Sequence, residues 1–230
     1  MTGTGTGAAA ERARRRESLR RAGVYLVTEE SLSGGRRSEW IVEAALEGGV
    51  RVVQVREKGG SARRALEIAL AVRRLTRRFD ALMIVNDRID IALAADADGV
   101  HLGQDDMSIA AARVRWPAPG KVFGLSTHNE EQERRARELA PDYIGVGPVF
   151  ATPTKEQPDP VLGLERMGRI VHASPLAAVA IGGIDRHNLP AILHNGAVNF
   201  CVLRAVNLDP DPLSSISALQ AIWRAHLAAQ

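Results

Sequence analysis

The sequence predicts a single (β/α)8 TIM barrel, an α/β fold, preceded by a disordered or irregular N-terminal extension. From Val24 onward, eight short apolar runs alternate strictly with about eight stretches rich in Ala, Leu, Arg and Glu. Nearly continuous apolar strands joined by helices are typical of a parallel sheet. Eight such units fit one closed barrel of this length. An open doubly wound sheet is the alternative, but it usually has fewer strands, and no strand leads into a G-x-G-x-x-G turn.

The individual elements follow from local composition. The predicted strands are the β-branched runs at 24–28, 52–55, 82–86, 99–103, 121–126, 143–150, 177–183 and 199–203. The predicted helices include the stretches at 38–46, 61–79, 108–115, 129–139, 163–171, 188–194 and 213–227. Ser61 and Asn129 are residue types that cap helix N-termini, so they indicate where two of these helices begin.

The N-terminal segment differs in charge from the rest of the chain. Residues 1–22 contain six Arg against Glu11 and Glu17, a net charge of +4 in a chain whose total is +3. Such a tail is more often a solvated extension than a nucleic-acid arm, and its Gly/Thr-rich start favours disorder over a transit peptide. We therefore divide the chain into a disordered extension at 1–22 and a catalytic barrel at 23–230. We also expect deletion of residues 1–20 to leave turnover intact.

Composition excludes several classes of protein. No apolar run reaches 18 residues, which excludes a transmembrane helix. Cys201 is the one cysteine, so a disulfide scaffold and a multi-cysteine zinc site are excluded. No apolar signal-peptide core follows the basic start. These observations predict a cytoplasmic protein with neither a membrane nor a nucleic acid as its partner.

Polar residues follow the predicted strands at their carboxyl ends, where barrel enzymes carry their functional groups. Strand 2 runs into QVREK at 54–58. Alternation places Gln54 and Arg56 on the same side of the strand, and a buried Arg requires a partner. An ion pair of Arg56 with Glu57 or Asp87 is the structural alternative to a substrate contact.

Carboxylates follow strands 3 and 4. Asp87 ends strand 3, and Asp105 and Asp106 follow strand 4. Carboxylates from adjacent strand ends repel each other unless a cation lies between them, and Mg²⁺ typically takes one or two carboxylates together with substrate phosphate oxygens. We therefore predict a magnesium site. The alternative is that Asp105 or Asp106 caps the helix that begins near Ser108.

The later strands carry groups suited to phosphate. Thr152, Thr154 and Lys155 follow strand 6, and hydroxyls with an ammonium can bind phosphate. Gly183 follows strand 7, where backbone N–H groups can approach an anion; a tight turn that needs a positive φ is the alternative. Two histidines lie among these strands, and we expect His101 to be a satisfied core residue.

These groups form two candidate anion sites, one beside the carboxylates and one near strands 7 and 8. Two anion sites indicate two phosphorylated substrates, and a metal-bound pyrophosphate is a good leaving group. The pattern thus predicts transfer of an alkyl group from a pyrophosphate to a second, phosphate-bearing nucleophile.

Several strings resemble a known family, thiamine-phosphate synthase, over nearly everything from Val24 to about Val206. They are QVREK (54–58), NDRIDIALAADADGVHLGQDD (86–106), GLSTH (124–128), YIGVGPVFATPTK (143–155) and AIGGI (180–184). The resemblance implies a (β/α)8 barrel with Mg²⁺. It also implies that a 4-amino-2-methyl-5-(diphosphooxymethyl)pyrimidine and a 4-methyl-5-(2-phosphooxyethyl)thiazole are joined to give thiamine phosphate and pyrophosphate.

The resemblance also implies roles for residues. The metal ligands are Asp87 and Asp106, with Asp105 as a second choice. The pyrimidine diphosphate contacts are Gln54, Arg56, Lys58, Asn86, Ser126 and Lys155; of these Arg56, Lys58, Ser126 and Lys155 are the catalytic group. The thiazole phosphate site comprises Thr152, Thr154, Gly183, Leu203 and Arg204. Strand 8 of the family usually ends in a Val/Ile-Ser pair, whereas here it ends in Leu203-Arg204.

Two other functions are compatible with the barrel. One is the related thiazole tautomerase, which has less need of paired carboxylates and of the QVREK segment. The other is a non-catalytic protein that binds phosphorylated ligands. The expected partners are therefore the two small phosphorylated substrates, and a homo-oligomer is compatible with the sequence.

Overall fold

The strands close into the predicted barrel. The structure, a computed structural model, describes residues 4–154 and 159–230. All eight strands pair in parallel, each with its neighbours in the chain, and the last strand pairs with the first. They are β1 Val24–Thr28, β2 Val52–Val55, β3 Leu82–Asn86, β4 Gly99–Leu102, β5 Val122–Thr127, β6 Tyr143–Val146, β7 Ala177–Ala180 and β8 Phe200–Val202. The (β/α)8 prediction is confirmed.

Helices connect the strands on the outside of the barrel. They are α1 Thr4–Arg20, α2 Ser38–Glu47, α3 Ala62–Arg78, α4 Ile89–Ala94, α5 Ile109–Arg115, α6 Glu130–Leu139, α7 Gly163–Ala173, α8 Leu189–His194, α9 Arg204–Asn207 and α10 Pro212–Ala228. The seven predicted helices are present, and the side chains of Ser61 and Asn129 cap α3 and α6 as expected. Sequence patterning missed α4 and α9 because helices of six and four residues are too short to show periodicity.

The core has two layers that follow strand alternation. One layer lies between the strands and the helices, and it includes Val53 and Val55 of β2. The other lies inside the barrel and includes Val52, from the opposite face of the same strand. Gln54 therefore lies on the inward face, and Arg56 continues that face at the carboxyl end, as predicted.

The N-terminal segment is helical, so the prediction of a disordered or irregular extension is wrong for residues 4–20. Leu19 of α1 is fully buried against the barrel. Arg12 donates two hydrogen bonds to Asp142, at 2.9 and 3.1 Å, and Arg15 donates one to Asp98 at 2.8 Å. Buried carboxylates require positive partners, and these arginines supply them. The division of the chain at residue 22 stays a prediction.

Asp98 and Asp142 immediately precede β4 and β6, at the amino-terminal face of the barrel. Each carboxylate also accepts a backbone N–H from a neighbouring strand, that of Met83 or Phe123, at 2.9 Å. α1 therefore packs on the face opposite the carboxyl ends of the strands. None of the described helices is long and apolar enough to cross a membrane.

Candidate active site

A cavity of about 410 Å³ opens at the carboxyl ends of the strands. Its lining includes most of the residues that the sequence assigns to substrate binding, contributed by six different strand ends or the loops after them: Gln54, Arg56, Asn86, Ser126, Thr152, Thr154, Gly183, Leu203 and Arg204. Lys155, also assigned there, lies outside the described residues. The structure thus brings together groups that are up to 150 positions apart in sequence.

Arg56 is ion-paired with Glu29, which follows β1. Its expected partners in an ion pair were Glu57 or Asp87, and neither is that partner in the structure. The reason lies in the register: Thr28 pairs with Val55, and Arg56 N donates to Thr28 O at 3.0 Å, so Glu29 and Arg56 leave adjacent strands side by side. Burial lowers the pKa of the Arg56 guanidinium, and the charges of Asp87 and Glu57 oppose that effect.

Asp87 lies beside the cavity rather than in its lining, next to Asn86. Its carboxylate forms an ion pair with Lys58. Burial raises the pKa of Asp87; a hydrogen bond from Lys58 lowers it, and the nearby Asp106 carboxylate raises it further. The predicted grouping of Lys58, Asp87 and Asp106 is therefore present as a cluster of two acids and one cation.

Asp106 does not cap α5. Its carboxylate accepts the Gly103 N–H at 2.7 Å, and the cap of α5 is Ser108, which accepts the Ala111 N–H at 3.3 Å. The capping alternative for Asp105 and Asp106 is therefore wrong. The Gly103 contact holds the Asp106 side chain in place at the end of β4.

The two carboxylates fit a hard cation. Within residues 4–154 and 159–230, no group of three or more His, Cys, Asp or Glu side chains is placed to hold a metal ion. Magnesium, however, is commonly held by one or two carboxylates with substrate phosphates and water as its other ligands. Asp87 and Asp106 match that pattern as a pair of neighbouring carboxylates. In this structure their mutual repulsion is offset by Lys58, which forms an ion pair with Asp87.

Sequence analysis missed Glu57 as an unusual carboxyl group. Its side chain accepts the Glu30 N–H at 3.2 Å. Burial raises the pKa of Glu57 to about 7, and the charge of Glu30 adds to the increase. Its position directly after the predicted strand β2 was the signal in the sequence that could have drawn attention to it; in the structure it is half-buried.

Ser126 lies at one end of a chain of hydrogen bonds inside the barrel. His101 Nε2 is 3.0 Å from Ser126 Oγ, and His101 Nδ1 is 3.0 Å from the Tyr143 hydroxyl. The Tyr143 hydroxyl is 2.9 Å from that of Tyr25, to which Gln54 Nε2 donates at 2.8 Å. His101 is thus a satisfied core residue, as predicted, and it also lines the cavity.

The loops after β6 and β7 form the opposite wall of the cavity. Gly182 and Gly183 have φ values of 104° and 65°. A Cβ at Gly182 would lie 2.6 Å from Pro148 Cα, and one at Gly183 would lie 2.8 Å from Ala151 O. The tight-turn explanation for these glycines therefore holds, and it places their backbone against the cavity.

Hydroxyl groups and a cation complete this wall. Thr152 Oγ1 is 3.0 Å from Thr154 Oγ1, so the two hydroxyls lie together. His128 Nδ1 is 2.5 Å from Gly147 O, and its Nε2 is 3.4 Å from Asp159. Arg204 begins α9 and faces the same cavity.

The closed barrel and the cavity at the carboxyl ends of its strands define a class of protein, a (β/α)8-barrel enzyme, because enzymes of this fold carry their active sites at that face. A model of the thiamine monophosphate synthase family matches residues 24–206, and the chain belongs to that family. The resemblance seen in the sequence is therefore confirmed. The protein is a transferase of thiamine biosynthesis.

Relatives and a solved structure agree with this assignment. A thiamine-phosphate synthase of Archaeoglobus fulgidus is 45% identical over 189 residues, which cover 82% of this chain and 87% of that protein. One from Chloroflexus aurantiacus is 43% identical over 199 residues, covering 86% and 91%. The structure of a thiamine phosphate pyrophosphorylase from Pyrococcus furiosus superposes with a TM-score of 0.82 at 35% identity, covering 91% of this chain and 98% of that one.

Proposed function

We propose that this protein is a thiamine-phosphate synthase that joins 4-amino-2-methyl-5-(diphosphooxymethyl)pyrimidine to 4-methyl-5-(2-phosphooxyethyl)thiazole. The observation that carries the proposal is the position of the Lys58, Asp87 and Asp106 cluster beside a cavity lined by Arg56. A tautomerase that acts on the thiazole alone has no diphosphate to neutralise. Paired acids with adjacent cations are therefore better explained by a diphosphate substrate.

The diphosphate would be bound by cations. Arg56, Lys58 and, outside the described residues, Lys155 are assigned to it. Gln54, Asn86 and Ser126 would contact the pyrimidine portion; Gln54 and Ser126 are joined by the chain of hydrogen bonds under the cavity.

The thiazole phosphate would be bound by the opposite wall. The Thr152 and Thr154 hydroxyls lie 3.0 Å apart, as a pair of donors. Backbone N–H groups at Gly183 and after Leu203 would add further donors, and Arg204 would replace the usual serine with a positive charge.

Asp87 and Asp106 would hold Mg²⁺. When bound, Mg²⁺ would neutralise charge on the departing diphosphate. Lys58, which is now paired with Asp87, would then be released to bind a phosphate oxygen instead.

The reaction breaks the bond between the pyrimidine methylene carbon and the diphosphate oxygen. The electron pair leaves with pyrophosphate, and the aminopyrimidine carries the resulting cation. The thiazole ring nitrogen then supplies an electron pair to the methylene carbon and gives thiamine phosphate. The side chains of this cavity accelerate the step by positioning the two substrates and neutralising charge.

The test is a coupled incubation of the purified protein with both substrates, with and without EDTA. We expect pyrophosphate and thiamine phosphate to appear in equal amounts, and both to be lost with EDTA and restored by excess Mg²⁺. Isomerisation of the thiazole alone would show a tautomerase instead. Tight binding of either substrate without turnover would show a binding protein.

A further inference from the structure

The hydrogen-bond chain between Gln54 and Ser126 draws one side chain from each of five strands. Four of its five side chains are at least 90% buried: Gln54, Tyr25, Tyr143 and His101. Ser126 is half-buried and reaches the cavity. The chain is thus buried along most of its length, and each of its five residues also lines the cavity.

A chain of hydroxyl groups can run in either of two directions, and the Gln54 amide favours one of them. The Gln54 amide nitrogen can only donate, so the Tyr25 oxygen accepts from it. In the direction that continues from Gln54, Tyr25 gives its one hydrogen to Tyr143, 2.9 Å away, and Tyr143 gives its own to His101 Nδ1, 3.0 Å away. Burial raises the pKa of both tyrosine hydroxyls, so each keeps its hydrogen at neutral pH.

An imidazole that accepts at Nδ1 carries its hydrogen on Nε2. In this direction of the chain, His101 Nε2 donates to Ser126 Oγ, 3.0 Å away. We propose that Gln54 acts as a positioning residue through this chain: it holds His101 as the neutral Nε2–H form and leaves the Ser126 hydrogen to be donated into the cavity. The recipient is a hydrogen-bond acceptor, a ring nitrogen or a phosphate oxygen.

Two glycines make room for the chain. A Cβ at Gly124 would overlap the rings of both Tyr143 and His101, and a Cβ at Gly145 would lie 3.3 Å from His101 Cε1. The His101 and Tyr143 rings are 5.3 Å apart, centre to centre. The barrel interior thus holds both rings closely, which fits a chain with one arrangement.

The test is the tautomer of His101 in the substrate-free protein, read from long-range ¹H–¹⁵N NMR spectra at pH 8. We expect the Nε2–H form in the wild type. Gln54→Glu puts an acceptor where the donor stood, so the chain should reverse, and His101 should carry its hydrogen on Nδ1. Gln104→Glu is the matched control, because Gln104 donates to the Ser126 carbonyl rather than to the chain.

A wild-type protein with the Nδ1–H form, or a Gln54→Glu variant with an unchanged His101, would overturn the proposal. If Gln54→Glu does not fold, Tyr25→Phe provides the second test, since it removes the hydroxyl that links Gln54 to Tyr143. We expect a mixture of both His101 tautomers in Tyr25→Phe; a retained pure Nε2–H form would refute the role of Gln54.

The recipient of the Ser126 hydrogen, unlike the tautomer, rests on the proposed function. Tyr25→Phe should also lower kcat/KM for the pyrimidine diphosphate by about tenfold, the cost of roughly one well-placed hydrogen bond. If His101 has the Nε2–H form but the protein has no synthase activity, the role of Gln54 in the hydrogen-bond chain is supported and the proposed function is refuted. Unaltered kcat/KM with a mixed tautomer would refute the donation by Ser126.

Discussion

Glu29 shows how one carboxylate can determine the position of a substrate-binding cation. It is 4% exposed, pairs with Arg56, and accepts the Ser31 hydroxyl at 3.0 Å. Arg56 is held between Glu29 on one side and the charges of Asp87 and Glu57 on the other. Without Glu29, the guanidinium would be drawn toward the proposed metal ligands.

We expect Glu29→Gln to raise KM for the pyrimidine diphosphate by about tenfold, because Arg56 loses the partner that orients it. Removal of one member of a buried pair also leaves the other charge uncompensated, so the melting temperature should fall as well. Glu39→Gln is a control, since Glu39 of α2 pairs with Arg37, the residue before that helix, away from the cavity lining. Unchanged KM in Glu29→Gln would contradict the positioning role.

Asp87 has a φ of 58°, in the left-handed region that Asn tolerates well. Asp87→Asn therefore removes the negative charge without adding backbone strain. We expect kcat to fall by about 100-fold or more at saturating Mg²⁺. Asp90→Asn serves as the control, because that exposed carboxylate pairs with Arg88 on α4. Activity of Asp87→Asn within a few-fold of wild type would refute the assignment of Asp87 as a ligand.

Glu57 should make the stability of the protein depend on pH. Its pKa is raised from the ordinary 4.5 to about 7, so the folded state holds the proton more tightly than the unfolded chain does. The free energy of unfolding should therefore fall as pH rises from about 4.5 to about 7 and then level off. Glu57→Gln should be more stable than wild type by on the order of 2 kcal/mol at pH 8 and similar at pH 4, as measured by urea unfolding. An equal difference at both pH values would contradict this explanation.

At the scale of elements, α1 changes the interpretation of the arginine-rich start. Its arginines neutralise the buried carboxylates that precede β4 and β6. Asp98 is shared: Arg15 binds it at 2.8 Å, and Arg73 of α3 binds it at 2.6 Å. α1 therefore ties the amino-terminal face of the barrel together, and deletion of residues 1–20 is now expected to lower stability.

Two neighbouring arginines of α1 provide a matched comparison. Arg15 is buried and also donates to Gly120 O at 2.6 Å, whereas Arg14 lies on the exposed side and pairs with Glu11. We expect Arg15→Met to lower the free energy of unfolding by about 2 to 3 kcal/mol, and Arg14→Met by less than about 0.5 kcal/mol. Equal losses in the two variants would show that α1 contributes through its apolar contacts alone.

At the scale of the whole molecule, ligand binding should couple to stability. A ligand at 100 times its dissociation constant stabilises a folded protein by about 2.7 kcal/mol. Because Mg²⁺ is expected to bind with Asp87, Asp106 and phosphate oxygens together, pyrophosphate and Mg²⁺ should raise the melting temperature by more in combination than the sum of their separate effects. The excess should vanish in Asp87→Asn. Additive effects in the wild type would contradict a shared site.

Local sequence was enough to predict the barrel and most of its lining. Alternation along β2 places Gln54 and Arg56 on the inward face whatever the neighbouring strands are, and parallel strands bring their carboxyl ends to one side. Nine of the residues assigned to substrate contacts line one cavity. Their roles in binding stay predictions, and so does that of Lys155.

Tertiary structure decided which charges and hydrogen bonds meet. The pairing of Arg56 with Glu29 depends on the register between β1 and β2, and the link from Gln54 to Ser126 passes through side chains of three other strands. The arginines of α1 likewise find their carboxylates about 80 and 130 positions away. The hydrophobic pattern of one segment determines whether it forms a helix or a strand and which of its faces is buried. Contacts between side chains of distant segments, by contrast, form only when the barrel closes.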